Sequence, residues 1–287
     1  MKAICKHELR GYFHSMTAYI FCAFILCFVG VGAMLYNIQA AVANFEYVLD
    51  FVCIGLVVIV PVLTMRTLAE EKKQKTDQLL YALPLKTSDI ILGKFLAVCA
   101  VFALPVAVIA LYPLIFAQFG EVYLLTSYGS LLAFLLLGGA LISVGMFISS
   151  LTENQGFASG IGIAVLLVNY FSVTLAESVS ANAIGSMAAI CLLIVLLGLL
   201  VRFLTKNDDV AFWLSLGLIV LTGVTYYFKT DSFEGLLPAV MKKLSLFDRF
   251  TTFVNGSFDM TAIVFYLTVI ALFLFLTMQS LEKRRYN

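Results

Sequence analysis

Eight apolar runs, each close to bilayer length and separated by short polar connections, constrain this chain more than any other feature. A helix needs about 20 predominantly apolar residues to cross a hydrocarbon core. By that ruler the spans are expected at 17–37, 48–65, 90–117, 126–150, 157–175, 184–204, 210–228 and 261–281. Helices satisfy their own backbone hydrogen bonds in lipid, so runs of this length specify an all-α polytopic transmembrane bundle. The two runs within 184–228 flank a polar turn at 202–209 and could form a re-entrant pair, which would leave six spans. Either way the two chain ends lie on the same side.

Composition agrees with this reading. Hydrophobic residues make up 62% of the 287 and charged residues 12%, against about 25% charged in a typical soluble domain. So little polar surface cannot cover a water-facing globule, which excludes a soluble enzyme. The net charge of +1 is too small to imply nucleic-acid binding. Lys2, Lys6 and Arg10 precede the first apolar run, which is longer than the ~7–15 residues of a signal-peptide core. It is therefore expected to remain as the first span.

Basic residues set the orientation. Placing the N-terminus inside puts Lys2, Lys6, Arg10, Arg66, Lys72, Lys73, Lys75, Lys86, Lys94, Arg202, Lys206, Lys283, Arg284 and Arg285 on the cytoplasmic side or at helix ends facing it. Only Lys229, Lys242, Lys243 and Arg249 fall outside, fourteen against four of the 18 in all. That asymmetry predicts both termini in the cytoplasm. The chain is read as one permease-like domain over 1–287 in the plasma membrane.

Three polar stretches stand apart from the spans. Segment 66–89 carries Arg66, Glu70, Glu71, Lys72, Lys73, Lys75, Asp77, Lys86 and Asp89, with Leu68, Leu79, Leu80, Leu83 and Leu85 between them. It reads equally as a span that continues into the cytoplasm before a short amphipathic helix, or as a solvated loop. Residues 1–16 mix Ile4, Leu9, Tyr12 and Phe13 with Lys6, Glu8 and Arg10, compatible with a helix lying on an anionic membrane surface. Residues 229–260 are expected outside, as an amphipathic segment resting on the membrane.

Signals for chemistry are sparse. Gly93-Lys94 lacks the earlier glycine and the following Ser/Thr of a phosphate loop. His7 and His14 form no metal constellation, and the six cysteines make no CxxC pair. No chain of ionisable residues runs through the spans, as an ion-coupled carrier would need. Glu153 and Asn154 fall at a tight turn, where a cap or loop role is expected. Pro61, Pro105 and Pro113 are expected to kink or end helices. Gly138, Gly139 and Gly145, with Gly156, Gly160 and Gly162 on the next span, suggest close helix packing.

Four stretches resemble the membrane subunit of a type-2 ABC exporter, more closely the gliding-motility or multicopper-maturation permease group. They are HELRGYFHSMTAYI (7–20), PVLTMRTLAEEKKQKTDQLLYALPLKTSDIILGKFLA (61–97), LISVGMFISSLTENQGFA (141–158) and the stretch from LSLFDRF to SLEKRR (244–285). The second and fourth are the most specific, because order and polar punctuation are kept over long distances. The family pattern has six spans, fewer than the eight read here. The resemblance implies an N-terminal interface helix bearing Lys6, Glu8 and Arg10. It also implies a cytoplasmic coupling segment in which Arg66, Glu70, Glu71, Lys72, Lys73, Lys75 and Asp77 meet a separate ATPase. ATP and Mg are then expected on that partner, with no cofactor on this chain, and a second membrane subunit, identical or related, completes the path. The rivals are a self-sufficient secondary carrier, an intramembrane enzyme, and a nontransporting scaffold of similar fold.

Overall fold

The computed structural model describes residues 1–42, 44–75, 86–178, 185, 187, 188, 190, 191, 194, 195, 198, 202, 208–228 and 235–285. Regular structure among them is helical throughout. In chain order the helices are α1 (Lys2–His14), α2 (Thr17–Gly32), α3 (Glu46–Thr64), α4 (Arg66–Gln74), α5 (Thr87–Ile109), α6 (Tyr112–Phe116), α7 (Leu124–Leu151), α8 (Gln155–Tyr170), α9 (Ser172–Ser178), α10 (Asp208–Phe228), α11 (Leu236–Leu244), α12 (Leu246–Val254) and α13 (Met260–Arg285). A π-helical stretch, Ala33–Gln39, prolongs α2.

Five stretches are long and apolar enough to cross a membrane: Thr17–Gln39, Glu46–Gln74, Thr87–Phe116, Leu124–Leu151 and Met260–Lys283. Four of them match expected spans to within a few residues, and Glu46–Gln74 contains the expected 48–65 but runs nine residues beyond it. The expected span 157–175 is divided between α8, which has 16 residues, and α9. The run 210–228 falls on the 21-residue α10. Most of 184–204 lies outside the described residues, as do Asp77, Leu79, Leu80, Leu83 and Leu85 of the charged segment, and 229–234.

The chain divides into two compact units. The larger holds Met1–Tyr170 and Leu246–Arg285. Its central helix is α7, whose flanking helices α3, α5, α8, α12 and α13 all pack on it. Because lipid is as apolar as a leucine side chain, helices associate here by close packing and hydrogen bonds rather than by escape from water. The ring series Phe21–Phe102–Phe134–Phe250 links α2, α5, α7 and α12 at centroid separations of 6.2, 5.8 and 6.0 Å.

Glycines on α7 and α8 sit at close approaches between helices. Phe102 lies directly over Gly138, and Thr64 occupies the place a side chain on Gly145 would need. A Cβ on Gly162 of α8 would sit 2.9 Å from Pro61. Gly145 and Gly162 therefore both accommodate α3, and Gly160 faces open space.

Residues after 245 also differ from expectation. The helix α12 does not rest on the outside of the bundle. Leu246, Phe247, Phe250, Phe253 and Val254 are buried, Tyr266 donates to the Leu246 carbonyl at 2.9 Å, and Ser130 donates to that of Phe253 at 3.1 Å. Its apolar face finds protein rather than headgroups. At the same end Ser127 donates to the buried Glu46 at 2.8 Å. In the smaller unit, α9 and α11 pack together, with Lys242 and Glu177 paired at 3.4 Å in an exposed contact.

Candidate functional site

One set of polar residues of the larger unit gathers where α1, α4, the start of α5, and the ends of α7 and α13 meet. This gathering begins with a helix that does not stop. At Met65 the backbone stays right-handed helical between α3 and α4, so Glu46–Gln74 runs 29 residues. At 1.5 Å per residue that is about 44 Å, against a hydrocarbon core of about 30 Å. The last turns must project beyond the apolar layer, and they carry the charged sequence. Among the two readings of 66–89, the described part is the helical continuation.

The projecting helix is anchored on its inner face. Thr67, Leu68, Ala69 and Lys72 are buried. The Ser149 hydroxyl of α7 accepts from the Leu68 and Ala69 amides at 3.3 and 3.1 Å and donates to the Met65 carbonyl at 3.1 Å. Lys72 donates its ammonium to the Ser150 carbonyl, which also accepts from Ser280 of α13 at 3.3 Å. The α7 terminus thus serves as a socket for α4. At the far end Lys75 adopts a left-handed conformation, φ 58°, and its amide returns to the Lys72 carbonyl.

Beside this socket is an ion knot. Lys94, two turns into α5 and 1% exposed, pairs with Glu8 of α1 and with Glu71 of α4, each at 2.6 Å. Removing an ammonium from water costs several kcal/mol unless partners replace the solvent; two carboxylates do so here. Gly93 favours the arrangement, since a Cβ there would lie 3.1 Å from Ile4 and 3.3 Å from the Met1 carbonyl, and these neighbours would have to give by a few tenths of an ångström.

The remaining contacts fix α1 to the same frame. Tyr12, 7% exposed, donates to the Leu63 carbonyl of α3 at 3.4 Å. Burial, reinforced by the Glu8 carboxylate, holds its phenol well above the ordinary range, so it stays a neutral donor. Arg66 makes a bidentate pair with Glu70 at 2.7 and 3.2 Å and donates to Thr17, at the start of α2, at 2.5 Å.

The expected coupling residues therefore separate into two sets. Arg66, Glu70, Glu71 and Lys72 bind within the chain, whereas Lys73 and Lys75 are exposed. On α1, Lys6 and Arg10 are exposed and Glu8 turns inward to Lys94. Sequence reasoning gave no contact role within the chain to Lys94, Tyr12, Ser149, Ser150 or Ser280. Lys94 was detectable in principle: a lysine inside the run 90–98 is costly in an apolar layer and requires a partner. Asn154 caps α8 as expected, accepting from the Gly156 and Phe157 amides at 3.0 and 3.4 Å.

No group of His, Cys, Asp and Glu suited to a metal occurs among the described residues. A groove of about 500 Å³ at the opposite end, between α7 and 253–258, is walled by uncharged residues. A search of curated proteins gives no match. A family model described as ABC-2 family transporter protein matches residues 31–228. That match covers more than two thirds of the chain, through the projecting helix and the central span it is socketed on: the chain belongs to the ABC-2 transporter family.

Proposed function

We propose that this chain is the membrane subunit of an ATP-driven exporter, driven by a separate cytoplasmic ATPase that docks at the α1–α4 end. The observation that carries the reading is the Lys94 knot. It joins an exposed basic helix, a projecting charged helix and a span through two contacts of 2.6 Å. Force applied to α4 passes directly to α5 through Glu71 and Lys94, and to α3 because the two are one helix. A partner ATPase would carry ATP and Mg, and this chain is noncatalytic. Both termini would then be cytoplasmic, with eight spans in the plasma membrane and a second membrane subunit, identical or related. The gliding-motility or multicopper-maturation group is the subgroup proposed.

Lys73 and Lys75 are the residues proposed to meet the ATPase, because they are exposed and not tied into the frame. Replacing Lys73→Glu together with Lys75→Glu leaves the knot and the Ser149 socket intact. The variant is expected to fold and melt as the parent does, yet to lose co-purification with an ABC ATPase and stimulation of its turnover. Undiminished binding and turnover would overturn the docking assignment. Transport by the isolated chain without ATP would favour the secondary carrier.

A further inference from the structure

We propose that α3 carries a binding site for a lipophilic organic cation, with Asp50 as its counter-ion and the Tyr47 ring as its platform. The starting observation is a carboxylate within a span. Asp50 lies inside the expected run 48–65, four residues past the start of α3, or about 6 Å along its axis. Most of that helix is buried, but Asp50 is exposed. Its side chain has no hydrogen-bond or ion-pair partner among the described residues, and no basic group among them bears on it. Lys94 shows how the same chain holds a structural charge, by tying it to two carboxylates. Acidic groups inside spans are costly and pair with a cation or line a pathway. Since the chain gives Asp50 no cation, its partner comes from outside.

The surroundings define the chemistry of that partner. Helical spacing puts Tyr47, Ile54 and Val58 on the side of α3 that carries Asp50, and they are 41%, 43% and 45% exposed. The stripe therefore offers one negative charge, one aromatic ring and aliphatic surface. Tyr36 braces the Tyr47 ring, stacked on it at 6.4 Å and 25°, and also packs on Phe51 at 6.2 Å. It comes from the π-helical stretch Ala33–Gln39, a rare geometry that recurs at functional sites. Tyr170 of α8 lies close enough to feel the charge on Asp50. A carboxylate beside an exposed aromatic face suits a quaternary or delocalised cation, and Ile54 and Val58 meet its apolar body.

Other occupants fit less well. A metal cation takes several oxygen ligands, and no suitable group of His, Cys, Asp and Glu occurs among the described residues. A second copy meeting this stripe about a two-fold axis brings another Asp50 rather than a cation. A phospholipid would set its phosphate against the carboxylate. The proposal names a cargo class for the exporter and rests on that reading only in this respect, because binding by the chain alone needs no ATPase.

The test uses the full chain in phosphatidylcholine nanodiscs with radiolabelled tetraphenylphosphonium, and protein-free nanodiscs as the reference for partition. Saturable binding is expected, displaced by methyltriphenylphosphonium at roughly tenfold lower concentration than by the neutral triphenylphosphine oxide. Asp50→Asn is expected to weaken binding by roughly tenfold, Asp50→Glu to preserve it, and Tyr47→Leu to weaken it by roughly threefold. The two competitors decide the question in the parent even if a variant fails to fold. Absence of saturable binding, equal competition by the neutral compound, or undiminished binding in Asp50→Asn would overturn the proposal. So would displacement by sodium chloride as effective as that by methyltriphenylphosphonium. A changed dimer fraction in Asp50→Asn with unchanged cation binding would assign the stripe to a second copy instead. None of these outcomes touches ATPase docking at Lys73 and Lys75, which is read separately by co-purification.

Discussion

Replacing Lys94→Met isolates the knot, because methionine preserves most of the side-chain volume and removes only the charge. Glu8 and Glu71 would then face each other across a site 1% exposed at its centre. Removing one partner from a buried ion pair costs about 3–5 kcal/mol. The carboxylates are 20% and 23% exposed and can recruit water, so the lower end, about 3 kcal/mol, applies. The cost falls on the docking of α1, which is held to α5 by this contact and by the close approach at Gly93. At 1.4 kcal/mol per tenfold, α1 should open on the order of a hundredfold more often. Hydrogen exchange over α1 measures this directly in detergent or nanodiscs, with α7 as the internal reference. The companion variant Lys94→Met/Glu8→Gln/Glu71→Gln removes all three charges and should recover most of the protection, since a neutral, well-filled site is often as stable as a buried ion cluster. Unchanged α1 protection in Lys94→Met, or no recovery in the triple variant, would refute the reasoning.

Further expectations follow from neighbouring contacts. Ser149→Ala removes the hydroxyl that serves two α4 amides and one carbonyl, and should cost about 1–3 kcal/mol in thermal unfolding. Gly138→Ala drives a methyl into the Phe102 ring, so a loss of about 1–3 kcal/mol is expected, partly relieved by Phe102→Leu. Tyr12→Phe loses a long hydrogen bond and about 0.5–1 kcal/mol. The Tyr12 pKa is raised in the folded state, so its contribution is complete below the unfolded value near 10 and lost as pH climbs above it. Tyr12→Phe should flatten the alkaline fall in melting temperature relative to the parent above about pH 10; an identical alkaline limb in both proteins would contradict this.

The spans were legible because crossing hydrocarbon is a demand on length and polarity that each run meets by itself. The limits of α3, of α7, and of α5 taken together with α6 fall within a few residues of the expected ones for that reason. Position 66–74 was legible as charged and adjacent to a span, yet its inner face was not. Lys72 and Lys73 are adjacent and chemically identical, and only the helix phase set by α3 turns one into the Ser150 socket and the other to solvent. The knot was hidden for a different reason. Glu8 and Glu71 lie 86 and 23 residues from Lys94, so no local pattern connects them. The glycines announced close packing but not against what, because Gly145 and Gly162 answer to Thr64 and Pro61 on a helix some 80 to 100 residues earlier. Residues 246–254 misled because an amphipathic helix has the same sequence pattern whether its apolar face meets lipid or protein.

The unbroken run of α3 into α4 has a mechanical consequence. Pro61, which cannot donate to the preceding turn, is the natural flexure point of that rod, and Gln74 lies 13 residues beyond it, about 20 Å at 1.5 Å per residue. A bend of only about 10° there would carry the tip through roughly 3.5 Å, a displacement comparable to a side-chain contact. Since Pro61 presses on Gly162, the same bend would be felt in α8, so a small rotation delivered at the tip reaches two spans at once.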